Sequence, residues 1–237
     1  MEIQIAAAKT NKYAVTESGD TLEVVERPNG GVSVVLADGQ TSGRGAKAIS
    51  MLVVRKVISL LAEGVRDGAA ARAASDSLFT DKQGKVSSTL NIISVDLHTG
   101  TVVVTRNNPV AFFVARGEQI DCIYTDSSPI GISRSIRPVI SEIPVEPGLS
   151  IVIYTDGLVH AGERVGQPMD ICTTLKAMLE DQDPSPQAIA DALLAEAVRL
   201  DDGRPSDDIS VVVLRVMKRK GDDVRRMMVR LPILAGA

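Results

Sequence analysis

The order of strand-like and helix-like segments is the feature that most constrains the fold of this 237-residue chain. Strand-like runs come first, two segments with helical spacing follow at 45–62 and 67–79, and strand-like runs then fill the region up to residue 155. Helical spacing returns at 168–181 and 185–200, before a last apolar strand. Because strands and helices come in blocks, a parallel doubly wound sheet is disfavoured. The sequence predicts an α+β fold, with two mainly antiparallel sheets stacked on each other and helices on their outer faces.

Gly-, Pro- and Asn-containing turns separate the strand-like runs from one another. The predicted strands are, in chain order, 3–8, 12–16, 21–26, 31–37, 88–96, 101–106, 110–115, 119–124, 136–145, 149–155 and 209–217. No Pro/Gly/Ser-rich linker interrupts residues 1–217, which we therefore expect to form a single domain. Residues 218–237 are a C-terminal extension in which basic and apolar residues alternate.

The extension allows three interpretations. The favoured one is an extra edge hairpin, with a strand over 224–233. The second is a strand that docks a partner or a second copy to form a homodimer, because an exposed apolar strand invites pairing. A basic segment lying on a membrane surface is the third and least favoured, since the stretch is short and contains Pro232.

Composition excludes several classes of protein. Hydrophobic residues make up 44% of the chain and charged residues 24%, which is a globular balance and not a disordered one. No apolar run approaches the ~18 residues of a membrane span, and the N-terminus lacks a signal peptide, so we expect a cytoplasmic protein. A net charge of -4 and the absence of Trp argue against nucleic-acid binding. Two cysteines and two histidines are too few for a disulfide framework or a His-rich zinc site.

Aspartates stand at the ends of four predicted strands. Asp20 precedes one strand, Asp38 ends the run VSVVLA, Asp156 ends LSIVIYT, and the pair Asp207-Asp208 precedes ISVVVL. If these carboxylates converge, they repel each other unless a cation neutralises them, and such hard oxygen ligands select Mg²⁺ or Mn²⁺ over zinc. Asp-Gly is also a common turn dipeptide, and spacing alone does not establish that the four positions meet.

Six collinear segments resemble the metal-dependent protein phosphatases. The similarity is to the bacterial branch typified by the stage II sporulation protein E phosphatase domain and the sigma-factor-regulating phosphatases. The segments are SGD (18–20) with VVLADG (34–39), SSTLNIISVDLHTG (87–100), NNPVAFFV (107–114), SSPIGI (127–132), IVIYTDGLVHA (151–161) and SDDISVVVLRV (206–216). Each is weak alone, but together they cover residues 15–216 in the right order.

The resemblance implies an α/β/β/α sandwich and hydrolysis of phosphoserine or phosphothreonine with two Mn²⁺ or Mg²⁺ ions. By position, Asp38 would bridge both metals and the Gly39 carbonyl would bind one of them, with Asp20 on the same side. Asp156 and Asp207 would complete the other metal, with Asp207 chosen over Asp208 because the first residue of the pair is the ligand in the family. These four aspartates are the expected catalytic residues.

The sequence indicates less about substrate recognition than about the metal ligands. Arg44, in the Gly-rich loop after Asp38, is a candidate for contacting the substrate phosphate, although a solvated loop arginine explains it as well. The resemblance implies a phosphorylated regulatory protein of anti-sigma or stressosome signalling as substrate. Two alternatives stay open: a pseudophosphatase that serves as a binding module, and a hydrolase of small phosphoesters on the same metal centre.

Overall fold

Ten strands form two five-stranded antiparallel sheets in the computed structural model, which describes residues 1–181, 183–219 and 221–232. The strands are β1 (Glu2–Thr10), β2 (Asp20–Glu26), β3 (Val32–Gly39), β4 (Ser88–Asp96), β5 (Thr101–Asn107), β6 (Phe112–Arg116), β7 (Gln119–Ile123), β8 (Val139–Pro144), β9 (Leu149–Tyr154) and β10 (Ile209–Met217). The first sheet has the order β1-β10-β9-β6-β7 and the second the order β2-β3-β4-β5-β8. The first and last strands therefore pair with each other, which ties the two ends of the fold together.

Helices cover the outer face of each sheet. They are α1 (Gly43–Ala62), α2 (Asp67–Lys82), α3 (Asp156–His160), α4 (Ile171–Asp181) and α5 (Pro186–Leu200), with a 3₁₀ turn at Glu163–Val165. α1 and α2 pack on the sheet that contains β3 and β4, whereas α3 and α5 pack on the sheet that contains β9 and β10.

Alternation along the strands explains why the sandwich has four layers. In β3, Val34 and Leu36 point into the apolar layer between the sheets, while Val35 and Ala37 point to the helices α1 and α2. Successive side chains of a strand face opposite sides, so a strand that is apolar at every position is buried on both. The α/β/β/α sandwich predicted from the sequence is confirmed.

Two predicted strands are not formed. Residues 12–16 are a loop, because their backbone groups have partners outside a sheet: the Lys12 N–H donates to the Asp208 carboxylate at 2.9 Å and the Tyr13 N–H to the Pro205 carbonyl at 2.9 Å. In the extension, residues 224–232 have no strand, so the edge hairpin is absent from the described residues; residue 233 lies outside them. Arg225 contacts the β2–β3 hairpin through its side chain, at Glu26 and the Gly30 carbonyl, in place of a backbone ladder.

None of the helices in the described residues combines the length and the apolarity that crossing a membrane requires.

Candidate metal centre

Asp20 and Asp38 lie side by side at one end of the second sheet. Antiparallel pairing of β2 with β3 places Asp20, the first residue of β2, directly opposite Asp38. Leu22 and Leu36, two residues further along the same strands, face the layer between the sheets. Since side chains two apart share a face, both carboxyl groups point towards the mouth of that layer.

The other sheet supplies Asp156 and Asp207 at the same end. Asp156 follows β9 and opens α3, and Asp207 lies two residues before β10, the neighbour of β9. The two segments are in backbone contact, because a Cβ on Gly157 would lie 2.1 Å from the Asp208 carbonyl oxygen. The structure thus brings together the four carboxylates that the sequence singled out, two from each sheet.

The carboxyl groups perturb one another strongly. Burial, followed by the charges of Asp20 and Asp156, raises the pKa of Asp38 to about 9. Burial also raises the pKa of Asp20 to about 6 and, together with Asp207, raises that of Asp156. Without a cation, the cluster therefore holds at least one proton at neutral pH.

Asp20 is fixed by hydroxyl groups of the opposite sheet. Its Oδ2 accepts hydrogen bonds from Ser210 Oγ at 2.6 Å and from Thr155 Oγ1 at 3.0 Å. Its Oδ1 is buried and has no hydrogen-bond partner among the residues that the structure describes. A buried carboxylate oxygen without a partner is costly, which marks this atom as one that a cation would satisfy.

Two lysines converge on the main chain of the same residue. The Nζ atoms of Lys9, in β1, and of Lys47, in α1, each donate to the Asp20 carbonyl oxygen at 2.7 Å. Lys47 also donates to Thr21 Oγ1 at 2.9 Å. Burial and the nearby Lys47 charge lower the pKa of Lys9. The two ammonium groups hold the start of β2 in place and put positive charge beside the acidic cluster.

Asp207 and Asp208 have different surroundings, although they are adjacent in the chain. Both carboxylate oxygens of the buried Asp208 are used: Oδ1 accepts from the Lys12 N–H at 2.9 Å and Oδ2 from the Gly19 N–H at 2.8 Å. Asp207 is partly exposed, and its one hydrogen bond is accepted by Oδ1 from the Asp208 N–H at 2.9 Å. The geometry leaves Asp207 available as a ligand and gives Asp208 the task of fixing the β1–β2 loop.

The first turn of α1 closes on the end of β3. A Cβ on Gly39 would lie 2.0 Å from the Ala46 carbonyl oxygen, so only glycine fits there. Ser88 Oγ donates to the Asp38 carbonyl at 2.7 Å, which secures the strand end from the other side. Arg44, in the same turn of α1, is exposed, and its side chain has no hydrogen bond or ion pair with the described residues.

Oxygen donors of this kind suit Mg²⁺ or Mn²⁺. Within the described residues, no three His, Cys, Asp or Glu side chains stand close enough to hold a metal ion as they are arranged. The unpartnered Asp20 Oδ1, and the burial and repulsion that raise the pKa of Asp38, nevertheless fit a divalent cation that would draw the carboxylates together. The oxygen donors of the aspartates and the cluster's need for positive charge therefore both fit a divalent cation such as Mg²⁺ or Mn²⁺.

The sandwich with aspartates at one end of both sheets is the PP2C-type phosphatase fold. The profile of the stage II sporulation protein E family matches residues 28–217, and the chain belongs to that family. Stage II sporulation protein E of Bacillus subtilis is 24% identical over 215 residues, which cover 90% of this chain and 26% of that protein. The chain thus spans about a quarter of the length of this relative.

Solved structures agree with the fold. The PP2C phosphatase domain of Bacillus subtilis SpoIIE, with a fragment of its regulatory domain, has a TM-score of 0.79 at 22% identity, covering 93% of this chain and 64% of that one. The catalytic domain of the serine/threonine protein phosphatase PstP, in complex with two manganese ions, has a TM-score of 0.69 at 17% identity and covers 91% of this chain and 99% of that one.

Proposed function

We propose that this chain is a metal-dependent protein serine/threonine phosphatase that uses two Mn²⁺ or Mg²⁺ ions, and that residues 1–217 form its single catalytic domain. The observation that carries the proposal is the cluster of four aspartates from two sheets, in which Asp20 has an unpartnered buried oxygen. Family membership supports it, as does the PstP structure with two manganese ions on the same fold.

In this proposal the ligands have separate positions. Asp38, Asp20 and the Gly39 carbonyl would hold one ion, and Asp38, Asp156 and Asp207 would hold the other. When bound, the ions would supply Lewis-acid chemistry, which polarises phosphoryl oxygens and makes a water molecule more acidic. No side chain of the protein is needed as nucleophile.

The chain's own residues keep this site in shape. Thr155 and Ser210 donate hydrogen bonds to Oδ2 of Asp20, whereas Oδ1 has no partner in the described residues. Lys9 and Lys47 fix its backbone, which keeps the carboxyl group opposite Asp38. These contacts reduce the reorganisation that metal binding requires, and preorganisation of this kind strengthens binding.

The proposed substrate is a phosphorylated regulatory protein of the anti-sigma or stressosome kind, acting in the cytoplasm, and family membership is the support for it. Arg44 is retained as a candidate phosphate contact, since it is exposed in the helix turn next to Asp38 and has no other partner in the described residues. A binding module without activity and a small-phosphoester hydrolase are the competing functions.

The test is phosphate release from a phosphoserine peptide and from p-nitrophenyl phosphate, in Mn²⁺ and in EDTA. We expect peptide hydrolysis in Mn²⁺ only, and a loss of more than ~100-fold in Asp156→Asn, since even residues that only support metal ligands change activity ~10–100-fold. Asp76→Asn, at an exposed position on α2 where the carboxylate has no hydrogen bond or ion pair among the described residues, is the matched control. Manganese binding without any hydrolysis would favour the binding module, and turnover of small esters alone would favour the small-molecule hydrolase.

A further inference from the structure

One cavity of the protein is lined by two arginines. This cavity, of about 340 Å³, lies between the 3₁₀ turn after α3 and the loop from α5 to β10. Its lining consists of Arg164, Val165, Asp201, Asp202 and Arg204. The proposed metal centre uses none of these residues.

The two loops are joined beneath the cavity by a buried carboxylate. Asp201 Oδ1 accepts from the Gly162 N–H at 2.9 Å, and its Oδ2 accepts from the Ser206 N–H at 2.6 Å. These two backbone donors satisfy both oxygens of Asp201 and hold its carboxylate in place beneath the cavity. Asp202 is the one exposed carboxylate in the lining.

Both arginines of the cavity are exposed, and neither guanidinium is within 4 Å of a carboxylate in the described part of the chain. The guanidinium of Arg204 lies 5.3 Å from the centre of the Tyr13 ring, over its face. The backbone N–H of Arg204 donates to the Asp201 carbonyl at 2.9 Å. A stacked arginine with a fixed backbone loses little freedom when it binds an anion, because its planar fork is already placed.

The position of the cavity connects it to the acidic cluster. One of its loops follows the helix that Asp156 opens, and the other leads into Asp207, three residues after Arg204. The two arginines are therefore close in the chain to Asp156 and Asp207, the two ligands that the first sheet supplies.

We propose that Arg164 and Arg204 form an anion pocket for the substrate protein, which binds a carboxylate or second phosphate close to the phosphoserine. The inference rests on the proposed function and adds the substrate's chemistry to it: an acidic segment flanking the phosphorylated residue. Planar, bidentate recognition of carboxylate and phosphate is what arginine offers over lysine. Positive charge beside the cluster also steers an acidic segment towards it.

The test compares three phosphoserine peptides that differ only in flanking residues: all Ala, two Asp, or a second phosphoserine. Hydrolysis is measured for the wild type, Arg164→Gln and Arg204→Gln, with p-nitrophenyl phosphate as a substrate too small to reach the pocket. Arg55→Gln, at an exposed position on α1, is the matched control. Binding of fluorescent versions of the peptides to the metal-free chain is measured in parallel.

We expect the wild type to prefer the acidic peptides, and each cavity variant to lose about five- to tenfold in kcat/KM for them, the scale of one charge-assisted hydrogen bond near a surface. Hydrolysis of the Ala peptide and of p-nitrophenyl phosphate should change less than about twofold. Arg204→Lys should restore only part of the preference, since it keeps the charge and loses the fork. The Asp and phosphoserine arms report which anion the pocket favours.

The anion pocket would be contradicted if the wild type hydrolysed the three peptides with equal kcat/KM, or if both Gln variants kept the preference for acidic peptides. Hydrolysis of p-nitrophenyl phosphate in the same samples would still support the phosphatase. If no substrate is hydrolysed but acidic peptides bind through the two arginines, the pocket stands and the phosphatase proposal fails. Absence of both hydrolysis and arginine-dependent binding would contradict both.

Discussion

Replacing Asp38 with asparagine should stabilise the metal-free protein. Burial and the neighbouring carboxylates raise the pKa of Asp38 from 3.8 to about 9 in the folded chain. At pH 7 the unfolded chain ionises this group and the folded chain keeps it protonated. The folded state therefore loses stability as the pH rises from about 4 to about 9, and an asparagine at this position escapes that loss.

The size of the effect follows from the interval between the ordinary pKa of 3.8 and pH 7. That interval of about three units is worth about 4 kcal/mol at 1.36 kcal/mol per unit, which is an upper bound because Asp38 and Asp20 influence each other's ionisation. We expect Asp38→Asn to raise the free energy of unfolding in EDTA by about 2–4 kcal/mol at pH 7 and by less than about 2 kcal/mol at pH 5.

In Mn²⁺ the order of stability should reverse, so that the wild type becomes more stable than Asp38→Asn. A ligand that binds only the folded state stabilises it by about 2.7 kcal/mol at a concentration a hundred times its Kd. The wild type should gain this much and the variant far less. Urea unfolding followed by circular dichroism, in EDTA and in Mn²⁺ at both pH values, measures four free energies for each protein, with Asp76→Asn as the neutral control. An Asp38→Asn protein less stable than the wild type in EDTA at pH 7 would refute the reasoning.

Substitutions at four further positions separate ligands from supporting residues. Asp207→Asn should weaken Mn²⁺ binding more than ~10-fold in calorimetry, with little change in the free energy of unfolding. Asp208→Asn should instead lower the free energy of unfolding in urea by about 1–3 kcal/mol and keep Mn²⁺ binding, because it disturbs the hydrogen bonds that the carboxylate accepts from two backbone N–H groups. Lys47→Met should weaken Mn²⁺ binding severalfold, with partial rescue by Lys47→Arg, since the Asp20 carbonyl loses one of its two ammonium donors. Gly39→Ala should lower the free energy of unfolding by more than ~3 kcal/mol in the same urea assay, because its Cβ would lie 2.0 Å from the Ala46 carbonyl oxygen.

The layers of the fold could be predicted from the sequence because they depend on local patterns. A strand such as β3, which is apolar from Val34 to Ala37, has to be buried on both faces, and the block order of strands and helices then gives a sandwich. The aspartates could be found because each stands at or beside one end of a predicted strand. Their convergence could not, since it depends on how β2 pairs with β3 and β9 with β10 across the chain.

Residues that support the cluster left no signal in the sequence. Lys9 and Lys47 come from a strand and a helix far apart in the chain, and their shared target is a main-chain carbonyl that has no sequence signature. Asp208 looks like a ligand beside Asp207 until the backbone donors of Lys12 and Gly19 are seen. The same bond from Lys12 explains why residues 12–16 form a loop and not a strand.

Proton release on metal binding tests the central claim most directly. If the four aspartates form the metal centre, Mn²⁺ added at pH 7 must displace the proton that Asp38 holds at a pKa of about 9. Calorimetric titration in two buffers with different heats of ionisation gives the number of ions and of protons together. The account predicts about two ions and about one proton for the wild type, and no such proton for Asp38→Asn. Manganese binding that releases no proton, or that Asp38→Asn leaves unchanged, would contradict it.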